Sequence, residues 1–233
     1  MARKSLVVEV ADDLLERIIA GEFPPGSPVP GELDLAERHE VSRMTVREAV
    51  KTLTAQNIVR VERGRGTFVN PVSRWSSLHA VLRATNEGTD GGDSAVKLIE
   101  LRRMLETGAA ELAAPRISDG ELAELRGTVG LMRQARAAAD LKRFVEADLA
   151  FHDLVLRASG NPFVVVVLEP LSQVLAERRS ETSAVPVIQD HAIEMHEAVC
   201  AALAGHDPQA ARAAMDAHMQ QTLDDLKAYV LRR

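Results

Sequence analysis

The chain has 233 residues, of which 46% are apolar, 27% charged and only 3% aromatic. That excludes a disordered chain and leaves Leu, Val, Ile, Ala and Met to build the core, as helix packing allows. A single cysteine, Cys200, excludes an intramolecular disulfide and a cysteine zinc cluster, while the lack of a long apolar run or a signal-like N-terminus predicts a cytoplasmic protein away from membranes.

The net charge of −6 is unevenly spread. From Val41 to Gly66, six cations (Arg43, Arg47, Lys51, Arg60, Arg63 and Arg65) oppose two anions (Glu48 and Glu62), a local excess of +4. Nucleic-acid binding needs such a local face rather than a basic chain.

Residues 7–20 carry a helix-period stripe of Val7, Val10, Ala11, Leu14, Leu15 and Ile18, ending at Gly21. Four prolines between Phe23 and Gly31 forbid helix, and "GELDLAERHE" predicts a second, short one. "VSRMTVREAVKTLTAQ" predicts a third, with Ser42 as N-cap and Val46, Ala49, Val50 and Leu53 inward. "IVRVERGRGTFVN" alternates about a Gly-Arg-Gly turn, as a hairpin does. Residues 1–71 therefore form one unit. Residues 72–94 read as a linker, with a short helix near 77–84 before the Gly/Asp-rich "NEGTDGGDS".

Residues 95–233 read as helix throughout. Ser118 with Glu121 matches a capping box, and Asn161-Pro162 and Asp207-Pro208 each pair an N-cap with a proline at the first helical position. These signals cut the region into roughly six helices, with Pro170 breaking or kinking the fourth. The expected fold is mainly α, a winged helix-turn-helix followed by an all-helical antiparallel bundle.

Three helices and a basic-tipped hairpin place Ser42, Arg43, Thr45 and Arg47 near the start of a recognition helix, where side chains reach base edges. Arg63 and Arg65 lie on the glycine-flanked tip.

In "EADLAFHDLVL", Asp148 and His152 are one turn apart on one face, flanking the apolar surface. His196 lies on a seam with Ala192, Val199 and Leu203, and His218 on one with Ala211, Met215 and Thr222. An unpartnered buried polar group costs on the order of 1–3 kcal/mol, and one shared cation satisfies all four. Spacing alone leaves a metal site and a buried polar network equally open. Arg102 replaces a core residue in the series Leu98, Arg102, Leu105, Ala109 and Leu112, so it needs an anion. Spacing does not separate a ligand from an internal partner such as Glu106.

"PGSPVPGELDLAERHEVSRMTVREAVKTLTAQNIVRVERGRGTFV" resembles the DNA-binding domain of GntR-type transcriptional regulators along nearly its whole length. The resemblance assigns Ser42, Arg43, Thr45 and Arg47 to the recognition helix and Arg63, Gly64, Arg65, Gly66 and Thr67 to the wing. Leu33 stands where many members carry a DNA-contacting arginine, and Met44 where a small or polar residue is common.

"IELRRMLETGAAELAA", "FVEADLAFHDLVLRASGNP" and "MHEAVCAALAGHDPQAARAAMDAHM" resemble the FCD domain, the helical effector domain of FadR-like members. Metal-binding members hold one divalent ion with an Asp and three His, which Asp148, His152, His196 and His218 match. By the same resemblance Arg102 faces an effector carboxylate, and "NPVSRWSSLHAVLRA" is similar to members that respond to sugar acids.

The expected protein is a non-enzymatic, homodimeric repressor. It binds an inverted-repeat operator in double-stranded DNA, contains one zinc, nickel or manganese ion per chain, and is modulated by a small carboxylate. The rival is a metal-dependent hydrolase fused to a DNA-binding head. The motif segments offer no dedicated general base for it, although Asp153, Glu194 and Glu197 lie nearby in sequence. A purely structural metal is the third reading.

Overall fold

The computed structural model describes residues 5–87, 91–168 and 172–231, and the chain divides into two compact units, 1–91 and 92–233. The first contains α1 (Leu6–Ile19), α2 (Glu32–Arg38), α3 (Arg43–Ala55), β1 (Val59–Glu62), β2 (Gly66–Val69) and α4 (Leu78–Glu87). Ser5 caps α1 through Val8 N–H and Ser42 caps α3 through Thr45 N–H, each hydroxyl satisfying an amide that the helix leaves without a partner. The apolar faces meet in one core of Leu14, Leu35, Val46, Ala49, Leu53 and Ile58.

The strands are antiparallel, with Val59 opposite Val69 and Glu62 opposite Gly66. The proline-rich stretch docks on the other edge of β2. Gly26 N–H donates to Val69 C=O at 2.8 Å, Val29 N–H to Thr67 C=O at 2.9 Å, and Val69 N–H to Ser27 C=O at 3.0 Å. The segment thus satisfies backbone groups that a two-stranded ribbon exposes.

Asn70 joins the hairpin to the end of α3. Its N–H donates to Ile58 C=O at 2.9 Å and its Nδ2 to Asn57 C=O at 2.9 Å. Its Oδ1 accepts from Arg60 Nη1 at 3.2 Å, and its C=O accepts the Trp75 indole N–H at 2.9 Å.

The expected linker, 72–94, is a difference between sequence and structure. Trp75 and Ala80 are buried in the core of the first unit, with Val81 and Ala84 packed against it, so α4 belongs to the head. The predicted short helix is present and longer than expected. Residues 91–94 already lie in the next helix, and 88–90 fall outside the described residues.

The second unit is helical: α5 (Gly91–Ala113), α6 (Asp119–Ala137), α7 (Leu141–Ala158), α8 (Pro162–Leu168), α9 (Ser172–Ser183), α10 (Pro186–Ala204) and α11 (Pro208–Asp225), then a π-turn at Leu226–Val230. These are seven α-helices among the described residues where about six were expected. The count rises because the fourth expected helix is described as two, α8 and α9, while α10 starts separately with Pro186 at its first position. Pro170, the expected break, lies outside the described residues between α8 and α9.

The three predicted starts are realised. Ser118 and Glu121 form a reciprocal capping box, Asn161 Oδ1 accepts from Phe163 N–H at 3.1 Å, and Asp207 accepts from Gln209 and Ala210 N–H. Helix α6 packs on α7 and α10, α10 on α11, and α7 on α9, around Leu125, Met132, Phe144, Phe151, Leu203 and Met215. Arg103 ties α5 to α11 with a bidentate pair to Asp216 at 2.6 and 2.7 Å. Among the described residues no helix is long and apolar enough to cross a membrane.

Asn70→Ala strands the partners of a buried, fully used side chain, so the head should lose about 1–3 kcal/mol. Trp75 is the chain's one tryptophan and lies in the head core. Urea unfolding followed by its fluorescence should therefore move to lower denaturant, while the helical circular-dichroism signal of the body shifts less.

Candidate metal centre and nucleic-acid interface

In the head, α3 presents Arg43, Met44 and Arg47 on its exposed side, beginning at the Ser42 cap. Ser42 Oγ is also 2.9 Å from Thr45 Oγ1, so both hydroxyls first order the helix start. Arg47 is held by Glu32 of α2, with Nε 3.1 Å from Oε1 and Nη2 2.8 Å from Oε2. Those hydrogen bonds keep the Glu32 carboxyl below its usual range. The pair fixes the guanidinium plane and leaves its Nη1 edge for a further acceptor. Leu33 is 55% exposed and Met44 60% exposed, so this surface is partly apolar.

At the hairpin tip, Gly64 (φ 73°) and Gly66 (φ 119°) adopt left-handed backbone that a side chain disfavours. Between them Arg65 pairs with Glu62 at 2.5 Å and lies 5.5 Å over the Phe68 ring. Arg60 also meets Glu62, at 3.0 Å. Glu62 therefore pre-aligns two cations, and Arg63 and Thr67 complete the tip.

In the body, α7, α10 and α11 bring His152, His196 and His218 together, at 5%, 0% and 4% exposure. His152 Nε2 is 3.2 Å from His196 Nε2 and 3.3 Å from His218 Nε2. Two ligands of a tetrahedral first-row cation with Zn–N of about 2.0–2.1 Å are separated by about 3.3 Å. Three lone pairs facing one point repel unless a positive charge sits among them. Either contact is an N–H···N bond in one tautomer, yet the one Nε2 lone pair of His152 serves a single donor well, and His196 Nδ1 and His218 Nδ1 are buried without a hydrogen-bond partner among the described residues, so hydrogen bonding leaves the cluster short of partners. The donor set fits a divalent ion.

Asp148 lies alongside, Oδ1 3.6 Å from His196 Nε2 and 4.0 Å from His152 Nε2. Its Oδ2 meets the guanidinium of Arg179 on α9. The expected set of four is thus brought together, with Asp148 shared between the histidines and a cation that the sequence reading missed. The other carboxylate is Glu106 of α5, which accepts from His152 Nδ1–H and from Arg102 Nε at 2.7 Å. A carboxylate behind a ligating imidazole fixes its tautomer and turns Nε2 to the metal.

Arg102 therefore takes the internal partner that its spacing left open. It does not line the neighbouring cavity of about 390 Å³; Arg179, Glu106 and His152 do, opposite an apolar wall that includes Leu149, Leu156 and Val165. Three of the four remaining histidines are engaged elsewhere: His191 with Asp225 at 3.0 Å, His206 with Ala114 C=O at 2.8 Å, and His39 with Asp13 at 3.3 Å.

Burial pushes the imidazoles of His196 and His218 well below their ordinary value, and the surrounding histidines and arginines add to it. Burial also lowers His152, with Glu106 opposing. Burial would raise Glu106, but Arg102, His152 and Arg179 outweigh it and hold the carboxyl well below the usual range. At neutral pH the centre has three neutral imidazoles, the state that binds metal.

Residues 6–69 match the GntR family of bacterial regulatory proteins and residues 97–221 match the FCD domain. The chain is 31% identical to the HTH-type transcriptional regulator YieP of Escherichia coli (strain K12), over 90% of either chain. It is 29% identical to the galactonate operon transcriptional repressor of the same organism, over 76% of this chain and 79% of that one. A solved GntR of Streptococcus agalactiae, 31% identical, superposes with a TM-score of 0.53 over 94% of this chain and 99% of that one. The chain belongs to the GntR family, as a FadR-like member with an FCD domain, and is a DNA-binding transcriptional regulator with a small-molecule effector domain rather than an enzyme.

Proposed function

We propose that the protein is a metal-containing repressor whose grip on operator DNA is altered by a small organic acid. His152, His196, His218 and Asp148 hold one divalent ion, zinc before nickel or manganese because three imidazoles suit the later metals. The convergence of three buried Nε2 atoms is the observation that carries this reading. The ion supplies a Lewis-acidic anchor for ligand oxygens. The residues around it do the rest: Glu106 orients His152, and the apolar wall excludes water. The adjoining cavity supports an acid as the effector, as does the likeness to a galactonate operon repressor; sugar acids are the first to test.

The head reads double-stranded DNA through Ser42, Arg43, Thr45 and Arg47 and clasps the backbone through Arg63, Gly64, Arg65, Gly66 and Thr67. A homodimer places two heads on an inverted repeat. Repression follows by occlusion of the promoter in the cytoplasm.

Arg43→Ala and Arg47→Ala should each narrow the gap between operator and random DNA by roughly 1–3 kcal/mol, as a lost base contact does. Arg65→Ala should weaken both DNAs alike and lower the salt slope by about one. Fluorescence anisotropy at several salt concentrations separates the two patterns, and an Arg43/Arg47 double variant with intact discrimination would refute the recognition helix.

His196→Ala, or a chelator, should abolish the acid's effect on operator binding while the head still binds DNA. Elemental analysis with a DNA-release titration reads both. Protein that never carries metal yet responds to its acid contradicts the proposal.

Because His196 and His218 are held below 6.5, unfolding takes up protons once the pH falls under that value. Their stabilising contribution is complete above pH 6.5 and declines as the solution is acidified. The metal-free protein should unfold at lower urea at pH 5.5 than at pH 7.5.

A further inference from the structure

Arg179 has no assigned task, yet it meets Asp148, one of the candidate metal ligands. It is 8% exposed, lines the 390 Å³ cavity, and contacts Asp148 on the side away from the histidines. Its Nε is buried without a hydrogen-bond partner among the described residues, so the guanidinium has unused donor capacity.

Charge counting around the centre shows why that matters. Arg102 is paired with Glu106 and Arg179 with Asp148, and burial keeps the three imidazoles neutral, so the metal-free centre is close to electroneutral. A divalent ion leaves two positive charges in excess in a place shielded from water. Asp148 turns Oδ1 toward the histidines and Oδ2 toward Arg179, and a carboxylate that ligates a cation has less negative charge left for the guanidinium, so the Asp148–Arg179 pair weakens when an ion binds. Arg102 is paired with Glu106 at 2.7 Å, lies 3.5 Å from His152 and does not line the cavity, so it is not placed to meet a ligand there.

We propose that Arg179 couples metal to effector: it neutralises Asp148 while the metal is absent, and gives up that carboxylate for one on the effector when Asp148 turns to the ion. The inference rests on the metal-centre reading above and names the chain's own residue that makes acid binding depend on metal. Arg179 needs only to turn about its own side-chain torsions, since the cavity it lines adjoins the centre. The ligand class is a carboxylate, which meets a guanidinium bidentately. An uncharged ligand of the same shape leaves the excess charge unrelieved.

The test uses the full chain, cobalt(II) as the metal probe and acetate as the carboxylate probe. Cobalt affinity is read by titration calorimetry and by its visible absorption, and acetate by its perturbation of that absorption. Arg179→Met should bind cobalt tenfold or more tightly than wild type, because Asp148 is left without its competitor. The same variant should bind acetate at least tenfold more weakly. Arg179→Lys, keeping the charge, should bring cobalt affinity back toward the wild-type value while recovering acetate only in part.

Opposite signs for the two ligands mark the exchange; a merely structural arginine would weaken both. Cobalt affinity unchanged or reduced in Arg179→Met, or acetate binding unchanged, overturns the role of Arg179 while leaving the metal centre standing. A folded wild-type protein that takes up no divalent cation overturns the centre and the exchange with it.

Discussion

Seven ionisable side chains meet in the middle of a bundle whose other inward positions are filled by Leu, Ala, Phe and Met. They are Arg102, Glu106, Asp148, His152, Arg179, His196 and His218, none more than 8% exposed. A buried charge is tolerated only with a partner, and a buried imidazole only with a use for both nitrogens. This constraint fixes the helices that carry them. Helix α5 must place Glu106 behind His152, α9 must bring Arg179 to Asp148, and α10 and α11 must turn their histidines to one point. Sliding any of these by one residue would strand a charge. The apolar contacts alone would tolerate several such arrangements, since Leu and Ala pack interchangeably. The polar centre thus selects one register where hydrophobic burial supplies the driving force.

The head solves a smaller version of the same problem. Its hairpin has only two short strands, too few to be stable alone. Asn70 spends its backbone and side-chain groups on Ile58, Asn57, Arg60 and Trp75, and the 26–29 segment occupies the free edge of β2. The wing is therefore held from both sides. Its tip then projects Arg63 and Arg65 from a fixed base, which a free ribbon could not do.

Much of this was legible because the signals were local. Ser42, Ser118, Asn161 and Asp207 announce helix starts through contacts with amides two or three residues away, and the structure places them there. His152, His196 and His218 were legible for a different reason: each interrupts an apolar seam, and three interruptions invite a common cause. Arg179 escaped notice because "SQVLAERRSETS" has no apolar stripe to interrupt. The signal was that very lack, since a helix inside a bundle that shows no apolar face has polar groups to bury. Glu106 was named only as a neighbour of Arg102, because its second partner lies 46 residues away in the chain. Similarly, "SRWSSLHAVLRA" reads from its sequence as part of a linker with a short helix. Its helix is short and follows a proline, and only the packing of Trp75 and Ala80 into the first core assigns it to the head.

A centre that is polar, buried and nearly neutral suits a protein that must change state in response to a ligand. A ligand shifts an equilibrium only by its difference in affinity for the two states. In an apolar core that difference arises from shape and is graded. Under the proposed exchange it arises from which cation holds Asp148, and the alternatives are discrete. Helix α9 carries one of the competing cations and packs against both α7, which carries Asp148 and His152, and α10, which carries His196. The proposed exchange of partner at Arg179 would therefore act on a helix that lines the cavity and packs on two of the histidine-bearing helices. Close-packed helices answer such a change by switching arrangement rather than by stretching, so a sub-ångström event at a carboxylate becomes a displacement of whole elements.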